Sequence, residues 1–150
     1  MYLVDTNVIS AGASVRPAPP GLAEWMDEHS DLLFLSAVTV AEIAAGIAKL
    51  RREGARRKSE HLTAWLETLL HLYADRVLSF DLLTARIAGS LSDRARGHGH
   101  APGFADIIIA ATAQRHGLTI LTRNLRHFAP LEVPVRDPFA ALPPPPLTRR

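Results

Sequence analysis

Short apolar segments alternate with longer segments of helical periodicity along this chain, and this alternation constrains the fold more than any other feature. Five apolar segments have the length of short strands, and they lie around Val4 and at 32–35, 77–80, 118–122 and 133–135. Pro134 favours the edge of a sheet for the last of them, because proline has no N–H to donate. Strands separated by helices predict an α/β fold, a three-layer sandwich with a central parallel sheet and helices on both faces.

The segments between these strands carry helix signals. Ser36 stands where an N-cap is expected, before a helix in which apolar residues recur at helical spacing. Asp81 takes the same place before a helix that runs towards Arg96. A further helix from about Ala105 is expected to stop at Gly117.

Length and composition point to a single globular unit. A chain of 150 residues fits one domain, which we assign to 1–142, and the proline-rich segment 143–150 is predicted to be a mobile tail. The absence of cysteine excludes a disulfide scaffold, a thiol nucleophile and a zinc–thiolate site. No apolar run is long enough to span a bilayer and none resembles a targeting segment, so we expect a cytoplasmic protein without membrane contact.

Basic residues form two clusters although the formal net charge is only +2. One cluster is Arg51, Arg52, Arg56, Arg57 and Lys58, and the other combines Arg94 and Arg96 with His98 and His100. Arginine forks match phosphate geometry, so nucleic acid is a reasonable partner. Solvated helix faces are the ordinary explanation of such runs, and composition alone favours that explanation.

Polar residues follow the predicted strands at the edge where open parallel sheets bind ligands. Asp5 comes directly after the first strand, and Asn124 follows the strand at 118–122. Asp106 lies in the first turn of a helix, and Glu42 lies in the helix after the second strand. Each has an ordinary explanation: Asp5 as a helix cap, Asp106 as a partner of the helix dipole, and Glu42 as an exposed polar residue. Their combination at one edge favours a functional site.

Four motifs in order carry a family resemblance. They are Val-Asp-Thr-Asn-Val-Ile at 4–9, Val-Ala-Glu-Ile at 40–43, Asp-Ile-Ile-Ile-Ala-Ala-Thr-Ala at 106–113, and Leu-Thr-Arg-Asn at 121–124 with Phe128 after it. The chain resembles the PIN-domain family over nearly its whole length up to about Leu142. It is most similar to bacterial toxins of the VapC and FitB kind.

The resemblance implies a metal-dependent endoribonuclease that hydrolyses RNA phosphodiester bonds. Asp5, Glu42 and Asp106 would hold Mg²⁺ or Mn²⁺, and Asn124 stands where the family often has a fourth acid. Hard divalent cations prefer such oxygen ligands. Thr6 and Thr122 would orient water or the metal-binding groups.

The same resemblance implies partners. They are an RNA substrate, a cognate antitoxin, a second copy of the chain in a homodimer, and promoter DNA reached only through the antitoxin. Two alternatives stay open: a PIN-type RNA-processing nuclease without an antitoxin, and a non-catalytic module that binds an antitoxin as a co-repressor. An aspartyl-phosphate phosphohydrolase is disfavoured, since Asn7 occupies the place of the second aspartate that this chemistry needs.

The histidines and tryptophans add little to the catalytic set. His98 and His100 flank Gly99 in a predicted loop and are left out of that set, because a lone His-x-His pair is weak support for a metal site. His127, near Asn124, is the other candidate for orienting water or substrate, but it is predicted to face solvent beside Phe128. Trp25 and Trp65 fall on apolar helix faces and are interpreted as core or interface residues.

Overall fold

The computed structural model describes residues 1–13 and 18–144 and contains one five-stranded sheet. The strands are β1 (Tyr2–Val4), β2 (Leu33–Ser36), β3 (Val77–Leu78), β4 (Thr119–Leu121) and β5 (Val135–Arg136). Their order across the sheet is β3-β2-β1-β4-β5, and every neighbouring pair is parallel. The prediction of a central parallel sheet is confirmed.

Helices connect the strands. They are α1 (Thr6–Ile9), α2 (Leu22–Glu28), α3 (Ala37–Arg52), α4 (Arg56–Tyr73), α5 (Leu82–Gly97), α6 (Phe104–His116) and α7 (Leu125–Phe128). Ser36 caps α3 by accepting a hydrogen bond from the N–H of Val38, as its position predicted. Asp81 caps α5 through the N–H of Thr84. Gly117 ends α6 in the left-handed conformation that glycine adopts without a steric penalty.

The core has two halves, one on each face of the sheet. Tyr2 and Val4 pack on one face with buried residues of α3 and α4, whereas Leu3 packs on the other face with residues of α5 and α6. This division follows from the strand geometry, in which successive side chains point to opposite faces. Helices therefore cover both faces, and the predicted three-layer sandwich is confirmed.

The two edge strands differ from their predicted bounds. The segment 77–80 forms only two strand residues, because the extended chain leaves the sheet before Asp81 begins α5. At the other edge β5 begins two residues later and ends one residue later than the predicted 133–135, and the carbonyl oxygen of Pro134 accepts a hydrogen bond from the N–H of Ile120 at 2.9 Å. Proline can accept but not donate, so it fits just before an edge strand.

Part of the C-terminal segment is held against the domain. The hydroxyl of Tyr2 donates a hydrogen bond to the carbonyl oxygen of Pro144 at 2.8 Å, and Pro143 is buried. Residues 145–150 lie outside the described residues, so the predicted mobile tail stays a prediction there. Within residues 1–13 and 18–144, no helix has the length and apolar character needed to cross a membrane.

Candidate active site

A cleft of about 480 Å³ opens at the carboxyl edge of the sheet. Asp5 follows β1 and Thr122 follows β4, and these strands are parallel neighbours, so their ends meet. All four predicted site residues line this cleft: Asp5, Glu42, Asp106 and Asn124. The remaining lining residues are Thr6, Asn7, Ser10, Gly103, Phe104, Ala105 and His127. The fold thus brings together residues that are up to 119 positions apart in the chain.

Asp5 is the most constrained of the four. Asp5 is buried, with only 4% of its surface exposed. Oδ1 accepts a hydrogen bond from the N–H of Thr6 at 2.7 Å. Oδ2 accepts one from Asn7 Nδ2 at 2.8 Å and one from Thr122 Oγ1 at 2.7 Å. Asp5 therefore caps α1 and at the same time holds a carboxylate at the floor of the cleft.

The electrostatics of Asp5 reflect its neighbours. Burial raises the pKa of its carboxyl group above the usual value, and the negative charges of Asp106 and Glu42 raise it further. The hydrogen bonds from Thr122 and from the N–H of Thr6 act in the opposite direction. The three carboxylates are thus close enough to repel one another, and a cation between them would relieve that repulsion.

Glu42 reaches the cleft from α3. It is exposed, and its Oε2 accepts a hydrogen bond from the hydroxyl of Thr6. Thr6 follows Asp5 directly, so this contact joins the second carboxylate to the segment that carries the first. The orienting role that the resemblance implied for Thr6 stays a prediction, and through this contact it would act on Glu42.

Asp106 projects from the first turn of α6. Its side chain is 23% exposed, and Oδ2 lies 3.2 Å from His127 Nδ1. Gly103 precedes α6, and a Cβ atom there would lie 3.3 Å from Asp106 Oδ2. A side chain at 103 would crowd the carboxylate, so glycine leaves room for it. Ala110 and Ala113 are fully buried on the same helix, where their small side chains let α6 approach its neighbours closely.

Asn124 completes the cleft from the loop after β4. Its N–H donates to Thr122 Oγ1 at 3.0 Å, which fixes its backbone, and its exposed side chain lines the cleft. Although Asn124 occupies the N-cap position of α7, its side chain makes no capping hydrogen bond. The amide is therefore available to a ligand.

Two residues have larger roles than the sequence interpretation gave them. Asn7 joins both loops: besides Asp5, its Nδ2 reaches Thr122 Oγ1 at 3.2 Å, and its Oδ1 accepts from the N–H of Arg123 at 3.0 Å. His127 is 55% exposed, yet its contact with Asp106 places it at the cleft and not simply in solvent. The Asp-Thr-Asn motif contained the signal for Asn7, and the nearness of His127 to Asn124 in the sequence was the signal for His127.

The donor set fits a divalent cation by its chemistry. Asp5, Glu42 and Asp106 offer carboxylate oxygens to one cleft, which are the ligands that Mg²⁺ and Mn²⁺ prefer. In the part of the chain that the structure describes, no three His, Cys, Asp or Glu side chains already converge on one metal position. Glu42 is turned towards Thr6 and Asp106 towards His127, so both would rotate to share an ion.

The histidines and tryptophans discussed above lie outside the cleft, apart from His127. His98 and His100 do not line the cleft. Trp25 is buried in the core against Tyr2, with ring centroids 5.7 Å apart. Trp65 is half-buried and lines a groove between α3 and α4. The interpretation of the tryptophans as core or interface residues agrees with these positions.

The sequence is similar to that of a known protein family and of named relatives. A sequence profile described as the PIN domain matches residues 2–131. The toxin FitB of Neisseria gonorrhoeae is 39% identical over 142 residues, which cover 93% of this chain and 99% of the relative. The VapC ribonuclease Y4jK of Sinorhizobium fredii is 35% identical over 140 residues, covering 93% of this chain and 98% of the relative.

Solved structures give the same picture. The crystal structure of FitAcB from Neisseria gonorrhoeae contains a chain that superimposes with a TM-score of 0.80 at 39% identity, covering 92% of this chain and 98% of that one. The structure of FitAB bound to an IR36 DNA fragment contains a chain with a TM-score of 0.72 at 36% identity, covering 93% and 96% of the two chains.

Proposed function

The chain belongs to the PIN-domain family, as its four motifs predicted, and on that premise we propose that it is a metal-dependent endoribonuclease acting as the toxin of a toxin–antitoxin pair. The observation that carries the proposal is that Asp5, Glu42 and Asp106 all line one cleft at the carboxyl edge of the sheet. The experiment that tests it is cleavage of single-stranded RNA by the purified chain with Mg²⁺ or Mn²⁺, and its arrest by EDTA.

The three carboxylates would hold the cation. When bound, Mg²⁺ or Mn²⁺ would activate a water molecule and offset charge that develops on the scissile phosphate. Asn124 is neutral, and it offers a carbonyl oxygen and an NH₂ group. It would therefore orient water or substrate without serving as a principal ligand.

The chain's own residues hold this arrangement in place. Three donors fix the Asp5 carboxylate, so it would not need to reorient when a cation enters. Thr6 holds Glu42 near the cleft wall, and His127 holds Asp106 there. The Glu42 side chain is exposed and that of Asp106 is partly exposed. The site thus combines one rigid carboxylate with two that adjust, which suits an ion that demands near-ideal geometry.

The relatives support the nuclease and toxin roles. Y4jK is named a VapC ribonuclease and FitB is named a toxin, and both align with this chain over more than nine-tenths of its length. Retention of all three carboxylates in one cleft disfavours the alternative of a non-catalytic antitoxin-binding module. An RNA-processing nuclease without an antitoxin would use the same site and differs only in its partner.

An apolar groove would provide a binding place for the antitoxin. It has a volume of about 670 Å³ between α3 and α4, and its walls include Ile43, Ile47, Leu50 and Trp65. Glu42 and Thr6 stand where the groove meets the cleft. An amphipathic helix with an apolar face would fit such a groove, and a basic side chain at its end would reach the carboxylates. Trp25 is in the core and takes no part in this surface.

The proposal extends to the remaining partners and to location. FitAB was solved bound to an IR36 DNA fragment, and we propose that this chain reaches promoter DNA only indirectly, through its antitoxin. We further propose a homodimer, since closed twofold pairs are the commonest assembly of identical chains. A toxin that cuts cellular RNA acts in the cytoplasm.

Metal binding should be visible as thermal stabilisation. At a metal concentration about a hundredfold above Kd, binding to the folded chain raises the melting temperature by about 5–10 °C. Asp106→Asn should remove most of this shift. Asn124→Asp should shift the half-saturating metal concentration downwards, because it adds a fourth negative charge to the site. Titrations of Mg²⁺ and Mn²⁺ followed by differential scanning fluorimetry measure all three. Equal affinity in Asn124→Asp and the parent would place residue 124 outside the site.

Expression of the chain alone should arrest growth, and co-expression of its partner should restore it. Gly46 lines the groove and has open space at its Cβ position, so Gly46→Phe should fill the groove without disturbing α3. This variant should stay toxic while the partner no longer relieves it. Gly89→Phe is the matched control, since Gly89 is also helical with open space but lies on α5 away from the groove. Relief of both variants by the partner would contradict the groove assignment.

A further inference from the structure

A second cavity adjoins the cleft beside α7, and we call it the α7 cavity. Its volume is about 370 Å³, within the range of about 300–1,000 Å³ that ligand pockets occupy. Gly103, Asp106 and His127 line both the α7 cavity and the cleft, so the two are direct neighbours. We propose that the α7 cavity binds a backbone phosphate of the RNA strand next to the linkage that is cut. The inference rests on the proposed function, because that phosphate belongs to its substrate.

Arg126 is the group of the α7 cavity that would bind an anion, while the charge of Asp106 would be offset by the cation proposed for the cleft. Arg126 and His100 line the cavity, and the one carboxylate in its wall is Asp106, which also belongs to the catalytic cleft. Arg126 is exposed and forms no ion pair with any of the described residues. A guanidinium that is not committed to a carboxylate keeps its planar set of donors for a phosphate, which it can bind with two parallel hydrogen bonds.

The chain holds His100 at this cavity. Its N–H donates to the carbonyl oxygen of Ala95 at 2.9 Å, which ties the loop back to α5. Gly99 makes this turn possible with a φ of +80°, a conformation that other residues rarely adopt. His100 therefore lines the cavity, whereas His98 does not. The His-x-His motif, which the catalytic site leaves unused, thus contributes one of its two side chains to the α7 cavity.

The remaining walls suit a nucleotide more than a free ion. Ala101, Pro102 and Pro130 present apolar surface beside the basic groups. Proline side chains bring no donors or acceptors that would compete for the phosphate, and a ribose or base edge can pack against them. A strand whose scissile phosphate lies in the cleft would pass Asp106 and His127 and place an adjacent phosphate near Arg126.

The test compares Arg126→Ala with Arg96→Ala. Arg96 is exposed in the last turn of α5, so its replacement removes the same charge without altering the α7 cavity. In a Glu42→Gln background, which prevents cleavage, Arg126→Ala should weaken binding of a single-stranded RNA about tenfold. The slope of log Kd against log salt should become shallower by about 0.7, as expected for one lost phosphate contact. Arg96→Ala should change both quantities much less.

In the cleaving enzyme, Arg126→Ala should raise KM and leave kcat nearly unchanged.

A chemical scan then identifies the phosphate. RNAs with a neutral methylphosphonate at one linkage are compared across all linkages, and one position beside the cut should cost the parent about tenfold in KM. In Arg126→Ala, a methylphosphonate at that linkage should cause no further rise in KM. His100→Ala should show a smaller effect of the same kind. Inorganic phosphate serves as the probe for a free-anion site.

Three outcomes would contradict the inference. Equal salt slopes in Arg126→Ala and Arg96→Ala, with normal cleavage by the parent, would overturn the inference and leave the proposed function intact. Competition by inorganic phosphate with no sensitive linkage would also overturn it, because the cavity would then take a free anion. A parent chain that neither binds nor cuts RNA would reject the proposed function, and this inference with it.

Discussion

Asp106→Asn should abolish RNA cleavage and leave the folded structure unchanged. A cation of this kind supplies several kcal/mol of transition-state stabilisation, and each 1.4 kcal/mol is a factor of ten in rate. Loss of one of three charged ligands should therefore reduce cleavage by at least about 100-fold. The measurement is single-turnover cleavage of a labelled single-stranded RNA at saturating Mn²⁺, with circular dichroism melts as the check on folding.

Asp106 is a cleaner target than Asp5. Among the described residues its carboxylate has one side-chain hydrogen-bond partner, His127, and an asparagine can keep that hydrogen bond by choosing the amide orientation. Asp5 accepts hydrogen bonds at both oxygens, from Thr6 on one side and from Asn7 and Thr122 on the other. Asp5→Asn would therefore set an NH₂ group against a donor in either orientation. Asp5→Asn should also abolish cleavage, but its melting temperature must be compared with the parent's, because a loss of stability would lower activity as well.

Ser10→Ala is the matched control for this experiment. Ser10 lines the same cleft, and its side chain makes no hydrogen bond within the described residues. It should cleave RNA within a fewfold of the parent. Cleavage by folded Asp106→Asn at the parent's rate would mean that the three carboxylates are not the metal-binding group, and the proposed mechanism would be lost.

The layers of the fold could be predicted from the sequence because they follow from local periodicity. Apolar segments of strand length, caps such as Ser36 and Asp81, and the stop at Gly117 are each determined by a few neighbouring residues. Parallel sheets bind ligands at the carboxyl ends of their strands, and this rule was enough to predict that Asp5 lies at such an edge. The edge strands were less well predicted, since β3 and β5 have two residues each and too little periodicity to define their bounds.

The contacts within the site could not be predicted in the same way. Asn7 meets Thr122 across 115 positions, and this depends on the register that pairs Val4 with Leu121. His127 meets Asp106 because α7 is a short helix whose orientation is set by the packing of Phe128, which is fully buried. Such contacts arise from tertiary packing, so only their residue types, and not their partners, are visible in the sequence.

Replacing Asn7 should affect activity almost as strongly, since this side chain joins the two loops that form the cleft floor. Asn7→Ala removes the bonds to Asp5, Thr122 and the N–H of Arg123, so Asp5 loses one of its three donors. Changes to residues that orient a metal ligand typically cost about 10–100-fold in activity or metal affinity, and we expect a loss of that size. The measurement is again single-turnover cleavage, together with the half-saturating Mn²⁺ concentration.

Asn7→Asp separates the bridging role from a merely space-filling one. The substitution keeps the shape and an acceptor for the N–H of Arg123, but it replaces the NH₂ that lies 2.8 Å from Asp5 Oδ2 with a second charged oxygen. Two carboxylates at that separation cannot both ionise without a large penalty. Asn7→Asp should therefore melt at a lower temperature than Asn7→Ala in EDTA and should cleave RNA no better than it. If Asn7→Asp matched the parent in both melting temperature and cleavage, the donated hydrogen bond to Asp5 would be dispensable, and Asn7 would only fill space between the loops.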